Sequence, residues 1–252
     1  MIAALRTLAA AGLLLAATGA SAAEITVLTA GAFKSVVMAV VPDFERQSGD
    51  KVTVANDTAG ALAKRIAEDE AFDVVILTPA AIEQLVQNGK VASGSPMRLA
   101  RVAIGVAVKK GAPVPDIATV AAFETALRQA RSVAYIDPAA GGSSGIYLAQ
   151  LFAKLGLADV IKAKAVLVPG GLVAERVANG EAELGIHQIS EILAVPGVTL
   201  VGPLPAEIQN YTVYAGGVAA GSRASEAARG FLAALAGPRG LAVLKEKGME
   251  AP

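Results

Sequence analysis

Short β-branched runs alternate with segments of helical period along almost the whole chain. EITVLTA reads as a strand and AFKSVVMAVVPDFERQSG as a helix that its proline could kink. KVTVAND and FDVVIL are further strands, TAGALAKRIAEDEA and TPAAIEQLVQNGKV are helices, and ARVAIGVAVKKG is a longer strand. In the strands the apolar residues are contiguous or alternate; in the helices they return every three or four residues. Such a rhythm predicts an α/β fold with mostly parallel sheet covered by helices. Ligands in these sheets sit at the carboxyl ends of the strands. After the break at APVPDI the rhythm restarts, with VAAFETALRQA, GIYLAQLFAKLG and GLVAERVANG as helices and SVAYID, KAVLV and AELGIHQ as strands. PGVTLVGPLP and YTVYAGGVAAG read as two more strands, and SEAARGFLAALAG and PRGLAVLKEKG as closing helices. Two α/β blocks with a helical tail predict two lobes, and no close repeat links them.

The N-terminus predicts export. MIAALR carries one positive charge, TLAAAGLLLAATG is apolar, and Ala20-Ser21-Ala22 is a small-x-small cleavage site, so residues 1–22 read as a signal peptide. The apolar run is too short for a comfortable membrane span. The mature chain is expected to start near Ala23 or Glu24 and to be soluble outside the cytoplasm. Lys plus Arg equals Asp plus Glu at 22 each, and Trp is absent, so neither charge nor aromatic content suits a nucleic-acid partner. Without cysteine there are no disulfides or thiolate ligands, and a single His does not suit a His-rich metal centre. Neither a metal nor a cofactor is expected.

Polar groups gather at expected helix starts. DPAAGGSSGIYLAQLF, residues 137–152, places two glycines and Ser143 and Ser144 just before a helix. Free amides there suit an anion, although a serine-capped glycine loop has the same composition. VPGGLVAE at residues 168–175 has the same logic. Neither stretch is a phosphate-binding loop or dinucleotide fingerprint, and no G-x-S-x-G elbow marks a hydrolase. His187 ends an expected strand, where ligands bind. Asp57 in NDTAG is a base or a helix cap, and Asp137 before Pro138 is a turn former or a base. Lys34, Arg98 and Arg101 are the candidate cations for a carboxylate ligand.

ITVLTAGAF, GALAKRIAEDEAFDVVIL, GSSGIYLAQLFAKLG and VANGEAELGIHQISEI, in this order, resemble the periplasmic solute-binding proteins of the molybdate-binding type, and the resemblance runs from about residue 24 to 250. It implies the two-lobe, type 2 periplasmic binding protein fold, with ligand in the cleft and hinge closure around it. Lobe one is expected at residues 23–105 and 212–252 and lobe two at 106–211, with crossings near 103–108 and 206–216. Molybdate binders of this family hold the oxyanion with backbone amides and a few hydroxyls. The amides match Ala32, Ala59, Ser144 and Val173, but the two serines of lobe one match Ala32 and Ala59, and the tyrosine of lobe two matches Gln188. All three hydroxyls are missing, and Asp57 beside one loop would repel a tetrahedral dianion unless a partner neutralises it.

An organic carboxylate is therefore expected instead of a metal oxyanion. The expected ligand-binding residues are Thr29, Gly31, Ala32, Thr58, Ala59, Ser143, Ser144, Gly171, Val173, His187 and Gln188, with Asn56 and Ser190 as further polar groups. The first functional reading is a monomeric periplasmic binding protein that delivers a small organic polycarboxylate to an ABC-type transporter. A branch of the family includes aconitate isomerase, which makes an enzyme on the same scaffold the second reading. Its allylic proton shift would need an acid and a base, for which Asp57, Asp137, His187 and Glu191 are candidates. A molybdate or other oxyanion carrier and a sensor that signals to a membrane partner complete the alternatives.

Overall fold

The computed structural model describes residues 22–252, so the expected signal peptide lies outside the described residues except for its last position. The first block comprises β1 (Glu24–Ala30), α1 (Gly31–Ser48), β2 (Lys51–Asp57), α2 (Ala59–Ala67), β3 (Val74–Leu77) and α3 (Pro79–Gln87). Strand β4 (Met97–Lys109) then leads into α4 (Val120–Gln129), β5 (Val133–Ile136), α5 (Ser143–Lys154), α6 (Ala158–Lys162) and β6 (Ala165–Val168). They are followed by α7 (Val173–Ala178), β7 (Leu184–Gln188), α8 (Ile189–Ile192), β8 (Val198–Pro203) and β9 (Tyr211–Val218). Helices α9 (Ser225–Ala236) and α10 (Pro238–Glu246) close the fold.

Every strand expected from the sequence is present. Pro42 lies inside α1 without ending it. The carbonyl that its missing N–H frees belongs to Met38, a half-exposed residue where water can bond it. Helices α6 and α8 were not expected; each is a single turn or little more, held by a buried Ile161 or Ile192.

The strands form one sheet in the order β2-β1-β3-β9-β4-β7-β5-β6, with β8 also on β4. Strand β1 is parallel to β2 and β3, and β5 is parallel to β6 and β7. All pairs made by β4 and β9 are antiparallel. The sheet is thus mixed: each lobe has a parallel set of three strands, and the antiparallel pairs arise where the chain leaves one lobe on β4 and returns on β9. Residues Met97–Ala103 of β4 pair with β9, whereas Ile104–Val108 pair with β7. The partner changes between two adjacent residues.

The cores divide at the same place. One buried cluster runs from Ile25 to Val102 and from Tyr214 to Met249, including α9 and α10. A second runs from Ile104 to Ile208, and a third, smaller one unites Ala134, Ile136, Val168, Val173, Val177 and Ala182. Phe231 of α9 is fully buried and meets Phe44 of α1 edge-on, with ring centroids 5.1 Å apart. Phe231→Ala is expected to cost about 3–5 kcal/mol of stability in urea unfolding. A loss below about 1 kcal/mol would contradict a core closed by the C-terminal helices.

Candidate functional site

Strand ends and helix starts from both lobes meet around a cavity of about 440 Å³. Strand β1 enters α1 directly at Ala30–Gly31, and β2 enters α2 through Thr58. In lobe two, β5 reaches α5 through the loop from Asp137 to Gly142, and β7 passes straight into α8 at Gln188. Thr58 caps α2 by accepting the Ala61 N–H at 3.1 Å. No side chain caps α1 or α5, whose N-cap residues are Ala30 and Gly142. Their first-turn amides and the positive ends of their dipoles are left for an anion.

Two contacts bring the α2 start against the loop before α5. Gly60 donates its N–H to the Gly141 carbonyl at 3.1 Å, and the Thr58 hydroxyl donates to the Ala140 carbonyl. A Cβ on Gly60 would lie 2.8 Å from the Gly141 Cα, and the converse holds, so both positions need glycine for this approach.

Of the residues expected at the site, Gly31, Ala32, Thr58, Ala59, Ser143, Ser144, Gly171, His187 and Gln188 line the cavity, as do Asn56, Asp57 and Ser190. Thr29 and Val173 are not in the lining. Thr29 is fully buried and its hydroxyl donates to the Ala30 carbonyl, while the Val173 side chain belongs to the small core of lobe two. Asp137 also lies outside the lining, where it accepts the Ala139 N–H at 2.9 Å as a turn former does. Among the candidate cations Lys34 lines the cavity and Arg98 and Arg101 do not. Arg101 pairs with Glu250 and lies over the Tyr211 ring at 4.8 Å. Ser35, Glu175 and Tyr214 line the cavity without having been expected there. Ser35 stands four residues after Gly31, one turn along the same face of α1, so helical spacing offered a signal for it.

The polar groups of the cavity are partly tied and partly spare. Gln188 donates its amide to the Ser143 hydroxyl at 2.9 Å, and that hydroxyl is 3.3 Å from the Thr212 hydroxyl. Asp57 accepts the Thr58 N–H at 2.8 Å and lies 3.7 Å from Arg65, the partner that offsets its charge. Among the described residues, the buried side-chain polar atoms without a hydrogen-bond partner are Ser35 Oγ, Ser144 Oγ and His187 Nδ1. All three residues are in the cavity lining. An unpaired buried polar group costs about 1–3 kcal/mol, so their gathering in one place favours a polar guest.

His187 and Glu191 dominate the electrostatics. His187 Nε2 is 3.1 Å from Glu191 Oε2, and the two side chains are only 3% and 9% exposed. Burial pushes the imidazole down to about 3 and the carboxyl up to about 8. At neutral pH both groups are therefore mainly uncharged, and their contact is a close approach of two neutral groups instead of an ion pair. The other carboxyl oxygen presses on the start of α1: a Cβ at Gly31 would lie 2.8 Å from Glu191 Oε1.

This pair gives stability a defined pH dependence. Between pH 6.5 and 8 the folded chain holds a proton on Glu191 that the unfolded chain has released, so stability falls as pH rises. Between 4.5 and 6.5 the proton taken up by unfolded His187 gives an opposite slope, and the two cancel; below 4.5 the His187 slope acts alone and stability falls with pH. Urea titrations of wild-type protein and Glu191→Gln should differ by a slope approaching about 1.4 kcal/mol per pH unit on the alkaline side, present only in wild type. Parallel curves from pH 6.5 to 8 would contradict a buried, protonated Glu191.

The comparisons agree with this architecture. Residues 25–250 match the family model for bacterial extracellular solute-binding proteins. Over 98% of its length the chain is 39% identical to an aconitate isomerase from Pseudomonas sp., covering 96% of that protein. It is 29% identical to the molybdate-binding protein ModA of Azotobacter vinelandii, over 74% of this chain and 73% of that one. The solved structure of the Azotobacter vinelandii periplasmic molybdate-binding protein superposes with a TM-score of 0.77 at 21% identity, covering 90% of this chain and 99% of the other. With its two-lobe fold and interlobe anion cleft, the chain belongs to the family of bacterial extracellular solute-binding proteins.

Proposed function

We propose that the cleft binds a small organic polycarboxylate and interconverts cis- and trans-aconitate. The observation that carries this reading is the protonatable His187–Glu191 pair buried in the wall of an anion cleft. Holding an anion does not require a buried acid at the helix start; moving a proton on a bound anion does. The uncapped helix starts of α1 and α5 offer separate amide groups, which suit carboxylates spread along a carbon frame better than one compact tetrahedral ion. Ala32 and Ala59 supply no hydroxyl, while the amide of Gln188 and the exposed ammonium of Lys34 are suitable carboxylate donors. The 39% identity to an aconitate isomerase supports the same substrate class.

The reaction fits the pair. Aconitate has a methylene and a double bond on either side of its central carbon. Taking a proton from the methylene and returning one to the far alkene carbon moves the double bond across the centre. The product is again an aconitate, whose geometry the site can set, and no oxidant or cofactor is needed. We place this activity in the periplasm, in a monomer whose lobes divide at the β4 and β9 crossings and close over the substrate.

The family itself favours a second reading, in which the same cleft carries a polycarboxylate to an ABC-type membrane transporter. Thermal shift with citrate, both aconitates, molybdate, tungstate and sulfate, followed by NMR of trans-aconitate with the protein, separates the possibilities. Ligand at a hundred times its dissociation constant adds about 2.7 kcal/mol of stability. We expect aconitate to stabilise the fold, the metal oxyanions to leave it unchanged, and the trans isomer to convert to the cis. Stabilisation by molybdate alone with unchanged trans-aconitate would overturn both the ligand and the reaction; binding without conversion would leave the carrier.

A further inference from the structure

We infer that Glu191 is the single group that takes the proton from the allylic carbon and gives it back to the other, with His187 as its positioning residue. The assignment rests on the isomerase reading and selects among the carboxyl groups near the cavity. Asp137 is outside the lining. Asp57 is occupied by the Thr58 amide and faces Arg65. Glu175 is exposed at the cavity rim. Glu191 alone is buried, lines the cavity and touches the start of α1, where a substrate carboxylate would find amides.

The local structure fixes where its atoms point. Helix α8 follows β7 without a loop, which sets His187 and Glu191 four residues apart with Nε2 and Oε2 at 3.1 Å. Ser190 between them anchors α8 to α1 by donating to the Ala32 carbonyl at 2.9 Å. With Oε2 beside the imidazole Nε2, Oε1 is the oxygen directed at the Gly31 end of the cavity.

The steps balance without a further reagent. Ionised Glu191 takes the methylene proton on Oε1 as the C–H electron pair becomes the new double bond to the central carbon. The electrons of the old double bond pass to the far carbon, delocalised into its carboxylate. Glu191 then returns the proton there and is again a carboxylate. A carboxyl whose proton affinity lies near working pH suits both halves of this cycle, and burial supplies it by pushing Glu191 up to about 8. The neighbouring titratable groups are His187 in direct contact and, elsewhere on the cavity wall, Tyr214, Lys34, Asp57 and Glu175.

The test runs trans-aconitate with wild-type protein, Glu191→Gln, Glu191→Asp and His187→Gln, with thermal shift by aconitate reporting folding and binding in each. In D2O under initial-rate conditions, the new methylene of the wild-type product should gain less than one deuterium, because one buried group returns part of the hydrogen it took from the other carbon. Wild-type kcat/KM should rise with pH towards an apparent pKa near 8. Glu191→Gln should bind and lose about 10²–10⁴-fold in rate, Glu191→Asp should recover part of it, and His187→Gln should move the pH profile upward. Complete deuterium incorporation in the first wild-type turnovers, or an equally active Glu191→Gln, would overturn the assignment while leaving the isomerase reading intact. Wild-type protein that binds aconitate without converting it would overturn the two together.

Discussion

Strand β4 has to serve both lobes at once. It pairs with β9 as far as Ala103 and with β7 from Ile104 onward, so the same unbroken strand ends one core and begins the next. Nearly every residue from Leu99 to Val108 is buried, which its long apolar run makes possible. The switch also locates the chemistry. Gln188 and His187, the last residues of β7, lie opposite Ile104 and Gly105, immediately past the point where β4 changes partner. A buried histidine and a buried amide are thereby fixed on the line between the lobes, in the wall of the cavity.

From that line the helix starts do the rest. Helices α1 and α5 present uncapped first turns, and the Thr58-capped α2 meets the glycine loop before α5. Such a cleft attracts anions through fixed backbone dipoles, without a cluster of arginines. Bringing His187 and Glu191 into it unpaired with any permanent charge would be costly if either were ionised. Each avoids most of that cost by being neutral, and one proton is left available beside the anion site. The electrostatics that exclude fixed charge from the wall also create a group able to exchange a proton near neutral pH.

The order of elements was legible because each strand and each long helix is set by its own residues. β-branched runs gave all the strands, and three-to-four-residue spacing gave the helices long enough to show it. The direction of strands was less legible: pairing across β4 and β9 depends on chain crossings, not on any local pattern. At the site, the loops before Ser143 and at Thr58 announced themselves through small and polar residues at helix starts, whereas the Gly31 loop was reached through the family resemblance of ITVLTAGAF. The role of Thr29 did not, since its hydroxyl is satisfied by the adjacent carbonyl. Arg101 is claimed by Glu250, which lies 149 residues away. The His187–Glu191 contact was hidden for a related reason. Four-residue spacing brings side chains together within a helix, but here it spans a strand end and a four-residue helix too short to show periodicity.

In this account a polycarboxylate lies on the helix-start amides with its carbon frame against Glu191. A crystal structure of the Glu191→Gln variant with trans-aconitate tests it most directly. Carboxylates are expected at the starts of α1 and α5, with the allylic carbons in contact with the side chain at position 191. A ligand seated elsewhere in the cleft, with its methylene turned away from that position, would contradict it.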